Sequence, residues 1–429
     1  MNVLHINTSA YAGGAARAMA RLHRGLITQG HTSRIVAKSG PPNDPEVYTV
    51  AGNAWPGRIV NALAVRADAW FGIPTGHRAP GATFNSNLFR QTDVIHLHNL
   101  HGRYFNYHRL PDMSARKPVV WTLHDMWAFT GHCAYSYNCE RWQTGCFQCP
   151  LLRGKGRLRV EPQPTRLDRT RQIWRNKRAL YRRAGLHITA PSRWLADLAR
   201  QSILAGTGTI QHIPNGVDLN IFRPLDRDAA RAELNIPPAA NVIFFAAANI
   251  TAYRKGFAHL PAALKALEPA GPTVLLTMGA VSESGPQAAR FKQVNLGHLS
   301  DERKQCLAYN AADLFVFPTL ADNQPLTVIE SLACGTPVVA FKVGGVPEMV
   351  RHMQTGYLAR PGDARDLAHG IQTLLHNDAL RAQMRRRCRE LAETTHDLNE
   401  QTRRHIALYR QAIKAHRRAG AGPQGEANG

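Results

Sequence analysis

Residues 312–346 read Ala-Asp-Leu-Phe-Val-Phe-Pro-Thr-Leu-Ala-Asp-Asn-Gln-Pro-Leu-Thr-Val-Ile-Glu-Ser-Leu-Ala-Cys-Gly-Thr-Pro-Val-Val-Ala-Phe-Lys-Val-Gly-Gly-Val. Two apolar runs, 314–317 and 337–341, flank a short polar loop and a segment of helical pattern. The loop carries Asp322, the helix carries Glu330, and Gly344-Gly345 closes the second run. In an open parallel sheet, ligands bind beyond the carboxyl ends of strands, where loops feed helices. Backbone N–H groups and the helix dipole favour an anion there. A carboxylate two turns along the helix reaches past phosphates to ribose hydroxyls. The stretch therefore predicts a pocket for a nucleotide joined to something rich in hydroxyls.

Working outward, short apolar runs alternate with longer amphipathic segments along the whole chain, which predicts βα units and parallel sheets. Strands are expected at 3–6, 33–37, 94–98, 119–123 and 187–190 in the first half. In the second half they are expected at 210–213, 242–246, 273–278, 314–317 and 338–341. The fold class is α/β, with two doubly wound domains. Boundaries are expected at 1–208 and 209–395, with a final helix at 396–417 and a disordered tail at 418–429. Positions 41–90, rich in Pro, Gly and Asn, read as loop with short helices.

Three further motifs fall at the ends of expected strands. Gly13-Gly14 follows the first strand and opens a helix, where glycine lets backbone approach a ligand. Arg254-Lys255-Gly256 follows the strand at 242–246, and an Arg fork beside a Lys point charge suits phosphate. His124 closes the strand at 119–123, with Asp125 placed either to orient its ring or to cap the next segment. His98 and His101 lie beyond the strand at 94–98 and are candidates for the acceptor side. Pro214-Asn-Gly-Val-Asp218 is a turn signal with a structural role.

These residues together resemble retaining family-4 glycosyltransferases of the GT-B fold, whose Glu-x7-Glu motif precedes a Gly-x-Pro-Val-Val run. Here Glu330 is the second carboxylate, and Asp322, one methylene shorter, stands where the family has the first. The resemblance implies two Rossmann-like domains facing across a cleft, with the last helix crossing back onto the first domain. It implies catalytic roles for His124, Arg254, Lys255 and Asp322. The implied donor site comprises Gly13, Gly14, Arg254, Lys255, Asp322, Asn323, Gln324, Pro325, Leu326 and Glu330. Arg254 and Lys255 would neutralise the diphosphate leaving group, Glu330 would bond the ribose, and Asp322 with backbone 323–326 would hold the sugar and a phosphate. The donor is expected to be a UDP-, GDP- or ADP-sugar, and no cofactor or divalent metal is implied for catalysis.

Four of the seven cysteines, Cys133, Cys139, Cys146 and Cys149, fall within seventeen positions as C-x5-C-x6-C-x2-C. Only the last pair has the interval usual in zinc sites. A structural zinc site, reduced thiols and redox pairing all remain open. The surrounding Trp121-Thr-Leu-His-Asp125, Gly131-His-Cys133, Cys139-Glu-Arg-Trp142 and Cys149-Pro150 resemble bacterial exopolysaccharide glycosyltransferases of the colanic-acid type.

The net charge of +23 concentrates at 153–183 and 381–389. It reads either as solvated helix faces or as attraction to an anionic membrane surface, which would suit a polyprenyl-diphosphate-linked saccharide acceptor. No nucleic-acid-binding signature accompanies the charge. No apolar run approaches the ~18 residues of a membrane span, and the first strand starts at once, so a cytoplasmic protein is expected, peripheral at the inner membrane face. Two rivals stay open: a non-transferring GT-B enzyme (a nucleotide-sugar epimerase or phosphorylase), and a basic binding protein on a degenerate scaffold.

Overall fold

The computed structural model describes residues 1–41, 43–49, 66, 86–152, 161, 165–247, 252–268, 271–279 and 291–420. Two parallel sheets organise them. The first contains β1 (Asn2–Ser9), β2 (Thr32–Ser39), β3 (Val47–Thr49), β4 (Val94–Leu97), β5 (Val119–Thr122), β6 (Leu186–Ala190) and β7 (Ile210–His212). Their order is β3-β2-β1-β4-β5-β6-β7. The second contains β8 (Asn241–Ala247), β9 (Thr273–Gly279), β10 (Lys292–Asn295), β11 (Leu314–Phe317), β12 (Val338–Phe341) and β13 (Gly356–Ala359). Their order is β10-β9-β8-β11-β12-β13. Strands β4, β5, β11 and β12 are buried along their whole length, as expected where helices cover both faces of a parallel sheet.

The chain divides into Met1–Ile213 with Gln401–Gly429, and Pro214–Glu400. The sequence places the boundary at 208/209 and assigns 210–213 to the second domain. The structure instead pairs β7 with β6, Ile188 opposite Ile210, and so gives that strand to the first sheet. Within 41–90, most of which lies outside the described residues, Val47–Thr49 is a strand on β2 rather than loop. β10 and β13 carry no strong apolar pattern, being edge strands, and were not expected from sequence. Positions 421–429 also lie outside the described residues.

The last helix, Leu398–Gly420, belongs to the first unit from Gln401 onward. Its Ile406, Tyr409 and Ala412 pack with Val3, Leu22, Leu26, Val94 and Val120. A Cβ at Gly25 would stand 2.3 Å from Thr402 Oγ1, so this glycine allows the helix Gly14–Thr28 to approach closely. Both sheets reverse direction once, between β1 and β4 and between β8 and β11. Loops leaving the carboxyl ends on either side of such a reversal border a crevice, and that crevice is where open α/β sheets place their ligands.

Candidate active site

In the second unit, Arg254 and Lys255 lie in a single turn of 3₁₀ helix, Tyr253–Lys255, after β8. Positions 248–251 of that loop lie outside the described residues. Gly256 follows at φ +67°, and a Cβ there would sit 1.7 Å from the Pro318 carbonyl oxygen. The Leu320 N–H and the Thr319 hydroxyl both donate to the Arg254 carbonyl, at 2.7 and 3.0 Å. Glycine therefore permits the loop after β8 to close against the loop after β11, and two hydrogen bonds hold it there.

Asp322 sits where the two loops meet. Its Oδ2 accepts from Arg254 Nη1 at 2.9 Å and from Lys255 Nζ at 3.0 Å. Its Oδ1 accepts from the Asn323 N–H at 3.0 Å. Burial pushes the Asp322 carboxyl up, but Lys255 and then Arg254 outweigh it, and the net shift is downward. Gly344, at φ +52°, packs its backbone on the Asp322 carbonyl, where a Cβ would stand at 2.1 Å. Gly345 N–H donates to the same carbonyl at 3.2 Å. The glycine pair thus backs Asp322.

The helix Leu326–Ala333 starts at Pro325 with no side chain capping it, and the Val328 N–H turns back to the Pro325 carbonyl at 3.2 Å; the helix start favours an anion. Asn323 and Gln324 are buried; Gln324 Oε1 accepts from the Asn215 N–H at 2.6 Å, so Asn215 acts as a turn support. Glu330 is 0 % exposed, and its Oε2 accepts from the Tyr309 hydroxyl at 3.0 Å. The resemblance gives this carboxylate to a ribose. The structure places it in the interior, so a ribose reaches it only after its surroundings move.

The first unit holds a different constellation. His5 on β1 lies opposite His96 on β4, and His98 follows two positions later on the same face. His5 Nδ1 and His98 Nε2 are 3.0 Å apart, as are His98 Nδ1 and His124 Nε2. Three imidazoles therefore form a hydrogen-bonded chain that ends at His124. Beside it, His96 bonds Tyr409 Oη at 2.6 Å and Thr122 Oγ1 at 2.7 Å. Burial is the main cause that pushes His124 and His405 down to about 4 and holds His5, His96 and His98 well below the usual range. All are neutral at pH 7.

Of the two roles open to Asp125 the structure shows the cap: its Oδ1 accepts from the Trp127 N–H at 2.8 Å, while its Oδ2 bonds His101 Nε2 at 2.9 Å. Of the two candidates for the acceptor side, His98 is 2 % exposed within the imidazole chain and His101 is bonded by Asp125. Sequence reading missed His5 and His96; their signal is a histidine at inward positions of two apolar strands. Gly13 caps the helix Gly14–Thr28 at φ +93°, without a side-chain cap, and neither Gly13 nor Gly14 has an atom within 4 Å of a built Cβ. That space is open to a ligand. Cys133, Cys139, Cys146 and Cys149 line one pocket, all as free thiols.

The family model described as Glycosyltransferase Family 4 matches residues 12–221, and that described as Glycosyl transferases group 1 matches residues 240–377. The chain is 30 % identical over 376 residues to a protein named for colanic acid biosynthesis, the glycosyl transferase WcaC of Escherichia coli K12, covering 82 % of this chain and 85 % of that one. Among solved structures it resembles sucrose-phosphate synthase from Thermosynechococcus elongatus, with TM-score 0.67, 21 % identity, and coverage of 97 % of this chain and 100 % of the other. It also resembles Anabaena HepE, solved in complex with UDP-glucose, with TM-score 0.62, 17 % identity, and coverage of 97 % and 100 %. At such identities the structural likeness speaks for the GT-B fold.

Proposed function

The chain belongs to the family-4, group 1 glycosyltransferases, and from that premise we propose a retaining enzyme that moves a sugar from a nucleoside-diphosphate sugar to a saccharide acceptor. The observation that carries the reading is the convergence of Arg254 Nη1 and Lys255 Nζ on one Asp322 oxygen, beside an uncapped helix start. Two cations beside a helix N-terminus are what a diphosphate needs. On donor binding the diphosphate takes over the two cations, and the released Asp322 carboxylate turns to the sugar hydroxyls. Arg254 and Lys255 then stabilise charge as the glycosidic bond loosens, in place of a divalent metal. Glu330 meets the ribose once Tyr309 gives way. The leaving phosphate takes the acceptor's proton on the face it departs from, which retains configuration.

In the first unit, the neutral His124 offers a ring nitrogen to the donor sugar, and Gly13-Gly14 lets backbone amides approach its phosphates. The likeness to the colanic acid protein supports an acceptor in surface-polysaccharide synthesis, and we propose that this acceptor is linked to a polyprenyl diphosphate. No described helix is long and apolar enough to cross a membrane. The exposed Arg171, Arg175, Arg178, Arg182 and Arg183, on and just after the helix Thr170–Tyr181, supply the charge for peripheral attachment.

The test is the melting temperature of wild type and Arg254→Ala with UDP, GDP and ADP. A ligand at a hundredfold excess over its Kd stabilises the folded state by about 2.7 kcal/mol. One diphosphate is expected to stabilise wild type and not the variant, and it names the donor class. Absence of any shift in wild type would point to a degenerate scaffold and sink the reading.

A further inference from the structure

We propose that the loop from Cys133 to Cys149 binds a structural zinc ion through four thiolates. These residues follow β5 without any strand or helix until the 3₁₀ turn Pro150–Leu152. Tyr137, Cys146 and Gln148 all hold positive φ, at 50°, 46° and 46°, each costing roughly 1–2 kcal/mol for a residue with a Cβ. Cys133 packs with Leu151 and Leu152 in a small apolar cluster, while Trp142 reaches the main core of the unit. A segment so irregular needs a cross-link to keep one shape, and all four thiols that could supply it face one pocket.

Burial pushes the free Cys133, Cys146 and Cys149 thiols up, and two features of their surroundings suit a thiolate once a cation is bound. The first is a backbone donor: Gly131 N–H donates to Cys146 Sγ at 3.1 Å. Amides turned toward sulfur in this way stabilise a thiolate that ligates a cation. The second is Lys177, fully buried on the helix Thr170–Tyr181. Its Nζ donates to the carbonyls of Trp127 at 2.5 Å and Thr130 at 3.1 Å and lies 3.6 Å above the Trp127 ring. Among the described residues no carboxylate pairs with it. Burial lowers Lys177 to about 7, while Cys146, Cys133 and Asp125 pull it up; zinc held by four thiolates carries a net charge of −2, which would hold that buried amine protonated as its counter-charge.

No three of the four sulfurs lie within 4.8 Å of one another, whereas Zn–S bonds of about 2.3 Å bring tetrahedral sulfurs to roughly 3.8 Å. The loop as it stands is therefore an open form whose sulfurs draw together on the ion. With four protein ligands the ion keeps no open position and performs no chemistry. It braces the loop whose earlier turns, through Trp127 and Thr130, hold Lys177 and the Asp125–His101 pair beside His124.

The experiment is elemental analysis of the purified full-length protein, with cobalt titration of the chelator-stripped wild type. About one zinc per chain is expected, together with cobalt bands of a tetrahedral thiolate site, namely sulfur-to-cobalt charge transfer and intense d–d transitions. Cys139→Ser should abolish both, and Lys177→Gln should weaken zinc affinity about 10- to 100-fold as a neighbouring group does. Because Cys139→Ser can misfold, the wild-type cobalt spectrum decides alone. A folded protein that holds neither zinc nor thiolate-bound cobalt overturns the proposal. So does a thiol count on the denatured chain that finds the four cysteines oxidised in pairs.

Discussion

Asp322 competes for the cations that a diphosphate requires. Arg254 and Lys255 both rest on its Oδ2, and the carboxyl is held ionised below its usual range despite burial. Asp322→Asn removes that competitor while keeping the side chain's size. The expected result is a lower Kd for the free nucleoside diphosphate, measured by calorimetry, together with a fall in turnover because the sugar loses its acceptor of hydroxyl bonds. Equal loss of both binding and turnover would mean that Asp322 only holds the loop. At His124 the partner matters as much as the ring. His98 Nδ1 sits 3.0 Å from His124 Nε2, so one tautomer of His98 dictates that of His124. In His98→Ala, nitrogen NMR at pH 7 should show His124 neutral still but with its tautomer populations shifted from those of wild type.

The loops after β8 and β11 work as a pair, and Gly256 is the hinge point between them. An alanine there needs φ +67° and places its Cβ 1.7 Å from the Pro318 carbonyl; the left-handed conformation alone costs roughly 1–2 kcal/mol. Gly256→Ala should abolish the nucleotide-induced melting shift, whereas Gly14→Ala, whose Cβ meets no atom within 4 Å, should keep the fold intact. The loop composition made this element legible beforehand, because strand, basic tripeptide and helix fall in order along the sequence. The acidic stretch was equally legible, with β11 and β12 observed at the apolar runs. What sequence could not give was direction in space. The arginines of the helix Asp378–Thr395 read as a solvated or membrane-facing run. Instead Arg381, Arg385 and Arg389, four apart, turn inward to the carbonyls of Leu375, Ala312 and Phe222. A charge run has no period that separates buried guanidinium groups bonded to helix ends from exposed ones, so half of that basic cluster is architecture. The partners of Asp125 and His98 were likewise fixed by distance across the sheet and by no spacing along the chain.

At the scale of the molecule, the polar layer beneath the last helix sets a pH limit on the first unit. His5, His96, His98 and His124 line the sheet, and His405 and Tyr409 descend onto them from the helix Leu398–Gly420. The folded chain keeps these imidazoles neutral, His405 down to about 4, while the unfolded chain protonates them near 6.5. The unfolded state therefore binds more protons between these values, and stability rises with pH across that window. The contribution is fully present above about 6.5 and falls away as the pH drops toward 4; for His405, which is 1 % exposed, it amounts to about 3 kcal/mol. Asp322, whose pKa is depressed, adds a separate loss only below the carboxylate range. Melting temperature measured from pH 7.5 to 4.5 should thus decline well before any carboxylate titrates. His405→Gln, which cannot take up a proton, should flatten that decline while lowering the neutral-pH melting temperature only modestly. Among the described residues the buried Nε2 of His405 has no hydrogen-bond partner to lose. If the slope of the variant matches that of wild type, the acid sensitivity belongs to other groups, and the imidazole layer is inert packing.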